Sequence, residues 1–281
     1  MKGDEDFGDL SIPYSRIKLK QMKTNNLWPD LQFSEYKDTL ETLHHWLQIV
    51  GKIRLRTMPW QNHSWHATLY ITAKGYSTQA IPYEGRIIQF DFDFIEHKLF
   101  ITCSNAGQAT IDLKARTVAD FYQELREKLV ELGINVKIHA SPNEVDPAIP
   151  FSQNTTNKSY HPETAYSMWK AMMKVNEVFQ KFRSGFTGKV SPVHLFWGAF
   201  DLAVTRFSGK DAPLHPGGMP NMPLEVMQEA YSKEVSSAGF WLGSNDSPLP
   251  VFYAYAYPSA ESFGQQSVKP ESAFWSPEMG E

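Results

Sequence analysis

The hydrophobic positions of this chain change period several times, and each change marks an element. Leu40, Leu43, Leu47 and Val50 recur every three or four residues, the spacing that gathers them on one helical face. Asp38 and Glu41 supply an acidic start and Gly51 a stop, which predicts a helix over 38–50. Residues 52–60 and 65–73 then alternate as strands do, parted by the polar turn Gln61-Asn62-His63-Ser64. The clearest period of two lies in RIIQFDFDFIEHKLFITCS. There Ile88, Phe90, Phe92 and Phe94 point to a core, Gln89, Asp91 and Asp93 point to water, and Glu96-His97-Lys98 turns a hairpin. A strand over 109–113 follows. Thr117 with Asp120 then opens a helix over 118–132 whose stripe is Phe121, Leu125, Leu129 and Leu132, and a further strand is expected over 134–139. Pro162 stands where a first helical residue belongs, and Met168, Met172, Val175, Phe179 and Phe182 carry a helix to Ser184, before Gly185.

The text after this helix reads as strand. SPVHLFWGAFDLAVTRFSGK, residues 191–210, is expected as one long buried strand with a bulge at Gly198. The Pro/Gly loop APLHPGGMPNMP, a short helix over 224–231, and irregular β text follow, and in PVFYAYAYP the tyrosines Tyr253, Tyr255 and Tyr257 share one face. Meandering strands with amphipathic helices predict an α+β fold of mostly antiparallel sheets. The Pro- and Asn-rich stretch 141–159 suggests a boundary, so two associated halves are expected, 27–150 and 160–281, the second packed on the first, after a loosely ordered leader over 1–26. Each half begins with a helix running into Gly-Lys, at Gly51-Lys52 and Gly188-Lys189, which suggests a distant duplication.

Composition narrows the function classes. A net charge of -4 with dispersed Lys and Arg argues against nucleic-acid or anionic-membrane partners. The single Cys103, reading as buried and inert, excludes an internal disulfide and a Cys-rich zinc site, which suits a reducing cytoplasm. No stretch approaches the roughly 20 apolar residues of a membrane span. With 14% aromatic residues, the chain can build a large core or line a pocket for a flat ligand.

The phrases LWPDL, QIVGKIRL, PWQNHSWH, SPVHLFWGAFDLAVTRFSGK, HPGG, EVSSAGFW and FYAYAYP together resemble a family of uncharacterised bacterial proteins, over about 27–280. The resemblance implies a cytoplasmic protein of no established activity, and carries over no catalytic residue.

Candidate chemistry therefore comes from the residues. Charges inside apolar strand text cost several kcal/mol unless paired or functional, which singles out Asp201 and Arg206. A bulge at Gly198 would bring His194 onto the face of Asp201, making a general base with its orienting acid; the competing reading is a buried polar network. Arg206 would hold an anionic group, or else brace the fold through Asp201 or Glu234. Trp197 and Tyr255 would form walls, His215 lies in a turn able to close over a ligand or simply to lead out of the strand, and Glu234 offers a carboxylate to the same substrate site. His63 and His66 offer a weak alternative metal pair, with no metal expected. Ser208-Gly209-Lys210 lacks the upstream glycines of a phosphate loop, which excludes nucleotide binding by that route, and the lack of a Gly-x-Ser-x-Gly elbow argues against a serine hydrolase; no cofactor is expected. Three classes stay open: an enzyme using side-chain acid–base chemistry on a small aromatic or carboxylate-bearing metabolite, a non-catalytic small-molecule binder, or an assembly protein whose aromatics serve homo-oligomer formation.

Overall fold

The computed structural model describes residues 28–277 and 279–280. The expected leader over 1–26 lies outside them. Among the described residues the fold is α+β, with four α-helices and two antiparallel sheets.

Helix α1, Phe33–Thr57, is the element on which the rest is built. Its apolar stripe is buried as the spacing required, and Trp46 stacks on Phe121 at 4.7 Å and on Tyr160 at 5.5 Å. It runs past Gly51, where the sequence suggested a stop and a strand over 52–60. That glycine is a contact point instead: a Cβ there would overlap the Trp197 indole. The helix ends at Met58, whose extended backbone is what a following proline, Pro59, imposes.

The first sheet has six strands: β1 Tyr70–Ile71, β2 Gly75–Ser77, β3 Ile81–Tyr83, β4 Arg86–Asp93, β5 Lys98–Cys103 and β6 Gln108–Asp112. Ile88, Phe90, Phe92 and Phe94 are fully buried, as their alternation required. Asp93 departs from its expected wet side. It is buried at the strand end, accepts from the Ile95 and Glu96 amides, and pairs with Lys74 at 3.1 Å. The expected strand over 65–73 shrinks to β1, and 134–139 pairs with no strand.

Helix α2, Val118–Glu131, is capped by Thr117, whose side chain accepts from the Asp120 amide at 3.0 Å. Helix α3, Pro162–Ser184, has Pro162 at its first position and Gly185 after its last. It lies on the second sheet, of order β10-β9-β8-β7, made from β7 His194–Phe196, β8 Asp201–Asp211, β9 Lys233–Trp241 and β10 Val251–Tyr257. Helix α4, Leu224–Ala230, precedes β9.

The stretch read as one long strand over 191–210 is a hairpin. The chain reverses through 197–200, so that Phe196 opposes Asp201 and His194 opposes Ala203. Gly198 is thus part of a turn, not a bulge. The sheets are joined where Leu69 and Leu195 exchange backbone hydrogen bonds of 2.9 and 2.8 Å. One apolar core draws residues from both halves. The suggested duplication finds no support: Gly51-Lys52 is helical, Gly188-Lys189 lies in a bend, and the strand orders differ.

Candidate functional site

Antiparallel register places Asp201, Ala203, Thr205 and Phe207 of β8 on one face with Gly239 and Ser237 of β9 and Tyr253, Tyr255 and Tyr257 of β10. On the opposite face Leu202, Val204 and Phe240 are buried, while Ser236 and Phe252 are exposed. On the tyrosine face Ala203, Phe207, Ser237 and Gly239 are buried, and Asp201, Thr205 and the three tyrosines are half-buried. Thr205 and Ser237 share a hydrogen bond of 3.0 Å, Tyr231 and Tyr255 share another of 3.0 Å, and the His215 ring stacks on Tyr231 at 4.6 Å. Tyr253 lies across Gly239, where a Cβ would occupy its ring, and its hydroxyl donates to the Asp201 carboxylate.

Glu144 completes this group, and the sequence reading missed it. It sits in 141–159, the stretch taken for a boundary. Its carboxylate rests on Gly198, where any Cβ would overlap it. Three side chains at four-residue spacing on α1 hold it there. His44 Nε2 donates to the carbonyls of Trp197 and Gly198 at 2.9 and 2.8 Å. Gln48 clamps the Asn143 backbone at both ends, each at 2.8 Å, and Lys52 donates to the Asn143 side chain. From the other side, Glu144 N donates to Pro220 O at 3.1 Å and Asn221 Nδ2 to Val145 O at 2.9 Å. Glu144 and Phe200 both take left-handed backbone, with φ of 56° and 59°, which disfavours ordinary side chains and persists only where the surroundings impose it. The signal available in the sequence was His44, Gln48 and Lys52 recurring every four residues, which sets three polar side chains in one row of an amphipathic helix.

The electrostatics follow from this crowding. Burial pushes the Glu144 carboxyl up to about 7, and the Asp201 charge pushes it the same way. Burial pushes Asp201 up to about 6, against the pull of the Tyr253 hydroxyl. Among the described residues no Lys, Arg or His forms an ion pair with either carboxyl. Burial lowers Lys52 to about 8, and its ammonium lies 5.4 Å from the Trp197 ring centroid.

The residues singled out from sequence fall in several places. His194 shares the face of Asp201 by register, yet it is 1% exposed and its Nδ1 donates to Thr68 at 3.2 Å. Burial, with the Arg54 charge beside it, lowers it to about 3. It is a neutral packing residue, and the proposed His194–Asp201 bond is not formed. Arg206 lies on the opposite face, so no pocket contains both His194 and Arg206. Its guanidinium donates to Phe182 O in the last turn of α3, with its centre 3.5 Å from the Phe182 ring centroid. It braces the fold through a carbonyl and a ring, not through Asp201 or Glu234. Glu234 accepts from Ser208 at 2.7 Å, and Trp197 Nε1 donates to Ala67 O at 2.6 Å. Tyr255 and His215 do line the tyrosine face. His63 and His66 take separate partners, Lys189 with Ala230 and the Gln61 amide, and among the described residues no group of three His, Cys, Asp or Glu is placed to hold a metal. A trough of about 680 Å³ runs along the outer face of α2, lined by Asp120, Gln123, Arg126 and Glu131 among others. Its mixed charges are solvated and it meets none of these residues.

The chain belongs to DUF5996, a family of unknown function whose model matches residues 28–281. The family expected from the phrases is therefore one without an assigned activity. No curated protein and no solved structure is detectably similar to it. Among the described residues no helix is long and apolar enough to cross a membrane.

Proposed function

We propose that this member of a family of unknown function is an enzyme using side-chain acid–base chemistry on a small molecule with a flat or aromatic part, at Glu144 and Asp201. One observation carries the reading: two carboxyls share the half-buried end of a tyrosine-lined sheet face with no cation paired to either among the described residues, and Glu144 and Phe200 stand in left-handed backbone. Carboxyls kept together in this way repel, and groups perturbed by burial and a like charge cluster at functional sites.

The roles follow from environment. Glu144, at about 7, holds its proton near neutral pH and serves as the acid. Asp201, at about 6 and hydrogen-bonded by Tyr253, is the more ionised of the two and serves as the base. Tyr253 and Tyr255, stacked on each other and parallel within 11°, set aromatic surface beside the two carboxyls, which suits a ligand with a flat part. The carboxylate-bearing metabolite loses its anchor here, because Arg206 is spent on α3; a neutral or amine-bearing ligand suits two acids better.

A thermal-shift screen of small aromatic alcohols and amines tests this, followed by turnover of any hit monitored by NMR. Hits should stabilise the parent, react with it, and lose turnover in Glu144→Gln and Asp201→Asn. Binding that survives both substitutions without any turnover would favour the simple binder. A Glu144→Gln variant less stable than the parent would sink the reading, since it would make the pair structural.

A further inference from the structure

At the other end of the same sheet face, about 20 Å from Asp201 at the usual rise per strand residue, the ammonium of Lys189 approaches the His63 ring. The Nζ to Nε2 distance is 2.7 Å. His63 Nδ1 lies 2.9 Å from Ala230 O, which accepts only, so Nδ1 carries the proton and Nε2 presents its lone pair to Lys189. The arrangement is a nucleophile, a base and a group that fixes the tautomer of the base.

The surroundings are built rather than incidental. His63 stands in left-handed backbone, φ 59° and ψ 27°, and Ser64 follows at φ 58°. Glu229 accepts from the His63 amide at 2.9 Å, and its second oxygen is buried with no hydrogen-bond partner among the described residues. Lys189 is exposed, and its backbone carbonyl accepts from the Phe207 amide at 3.0 Å, which fixes the root of its side chain against β8. Its Nζ lies 4.5 Å from the Phe207 centroid and 5.4 Å from that of Trp65.

We infer that Lys189 is a carbonyl-reactive amine that condenses with an aldehyde or ketone, with His63 as its proton acceptor. His63 Nε2 first takes one proton from the Lys189 ammonium, and the neutral amine then attacks the carbonyl carbon. The C–N bond forms as the C=O π bond breaks, and a water relays one of the two remaining N–H protons to the oxygen, giving a neutral carbinolamine. Return of the His63 proton to the carbinolamine hydroxyl expels it as water while the nitrogen lone pair closes the C=N bond, leaving a protonated imine with one N–H. No oxidant or reductant is needed. Desolvation of Lys189, with Lys233 nearby, favours the neutral amine over the ammonium, while Glu229 opposes it. The aromatic faces of Trp65 and Phe207 also favour the ammonium, so His63 must draw off the proton. This site is independent of the Glu144–Asp201 reading.

The test uses the full chain, glyceraldehyde as probe and cyanoborohydride to trap the imine, with peptide mass spectrometry to rank the lysines. Lys181, on α3 and ion-paired to Glu177, is the internal reference. At pH 7 Lys189 should react about tenfold or more faster than Lys181, because a positioned base raises the share of neutral, nucleophilic amine. His63→Asn, chosen because Asn tolerates left-handed backbone, should bring Lys189 down to the reference rate. A Lys189 rate within twofold of Lys181 in the parent overturns the proposal, as does an undiminished rate in His63→Asn. Should that variant not fold, the pH profile of the parent decides. A Lys189 midpoint at lower pH than that of Lys181 supports the pair, and coincident midpoints refute it.

Discussion

On the inward face of the first sheet stand Ile88, Phe90, Phe92, Leu99, Ile101 and Ile111, all at most 1% exposed, whereas the tyrosine face of the second carries Asp201, Thr205, Ser237, Tyr253 and Tyr255. Both are antiparallel and both alternate. The first spends its alternation on a dry interior, and its substitutions should be felt as lost packing. The second keeps hydroxyls, rings and two crowded carboxyls half-buried on one face, and substitutions at those half-buried positions should cost less stability while changing chemistry. What an antiparallel sheet is for is therefore written on the face its alternation leaves open.

The largest effect that separates the two is Phe90→Ala. It empties a fully buried site and should cost about 3–5 kcal/mol, read as a fall in the denaturant midpoint. Tyr255→Phe removes one hydroxyl from the open face and should cost about 1 kcal/mol or less. Similar costs for the two would erase the distinction. Arg206→Met comes next, at about 2 kcal/mol, because it strands the Phe182 carbonyl at the end of α3 and removes a cation from a helix C-terminus. Unchanged melting of that variant would show the brace to be idle.

Gly51→Ala sharpens the comparison from below the site. In a free helix the change would stabilise by up to about 1 kcal/mol, but here the methyl meets the Trp197 indole. A net loss of about 1–2 kcal/mol is expected, with any ligand response at Glu144 weakened because the 197–200 turn is displaced. A gain in stability would place the turn elsewhere.

Glu144→Gln has the smallest effect and the opposite sign. The folded-state carboxyl is raised to about 7 from an ordinary 4.5, so folding favours its protonated form. That contribution is fully present below pH 4.5 and is lost as pH rises through 7. The Gln variant carries no such loss, so its advantage over the parent should be absent near pH 4, grow between pH 4.5 and 7, and level off near 1 kcal/mol, half-exposure limiting it. His44, lowered to about 4, and His194, lowered to about 3, give both proteins the opposite slope between about 4 and 6.5, so only the difference of the two melts is informative. An advantage that shrinks with rising pH would refute the assignment.

Local spacing by itself determined much of this protein. The stripes of α1, α2 and α3, the Thr117 cap, the Pro162 start, the buried face of β4 and the shared face of the three tyrosines all follow from periods of 3.6 and 2, because neighbours along the chain settle them. Only the tertiary structure decided that Gly51 continues a helix and that Gly198 turns a hairpin, since each glycine answers to a distant side chain, Trp197 in one case and Glu144 in the other. It likewise separated His194 from Asp201 and supplied Glu144 in its place, 57 residues away in sequence by the difference of their numbers. The pairing of two acids depends on hydrogen bonds from α1 to two loops, and such long-range closure leaves no periodic trace in the chain.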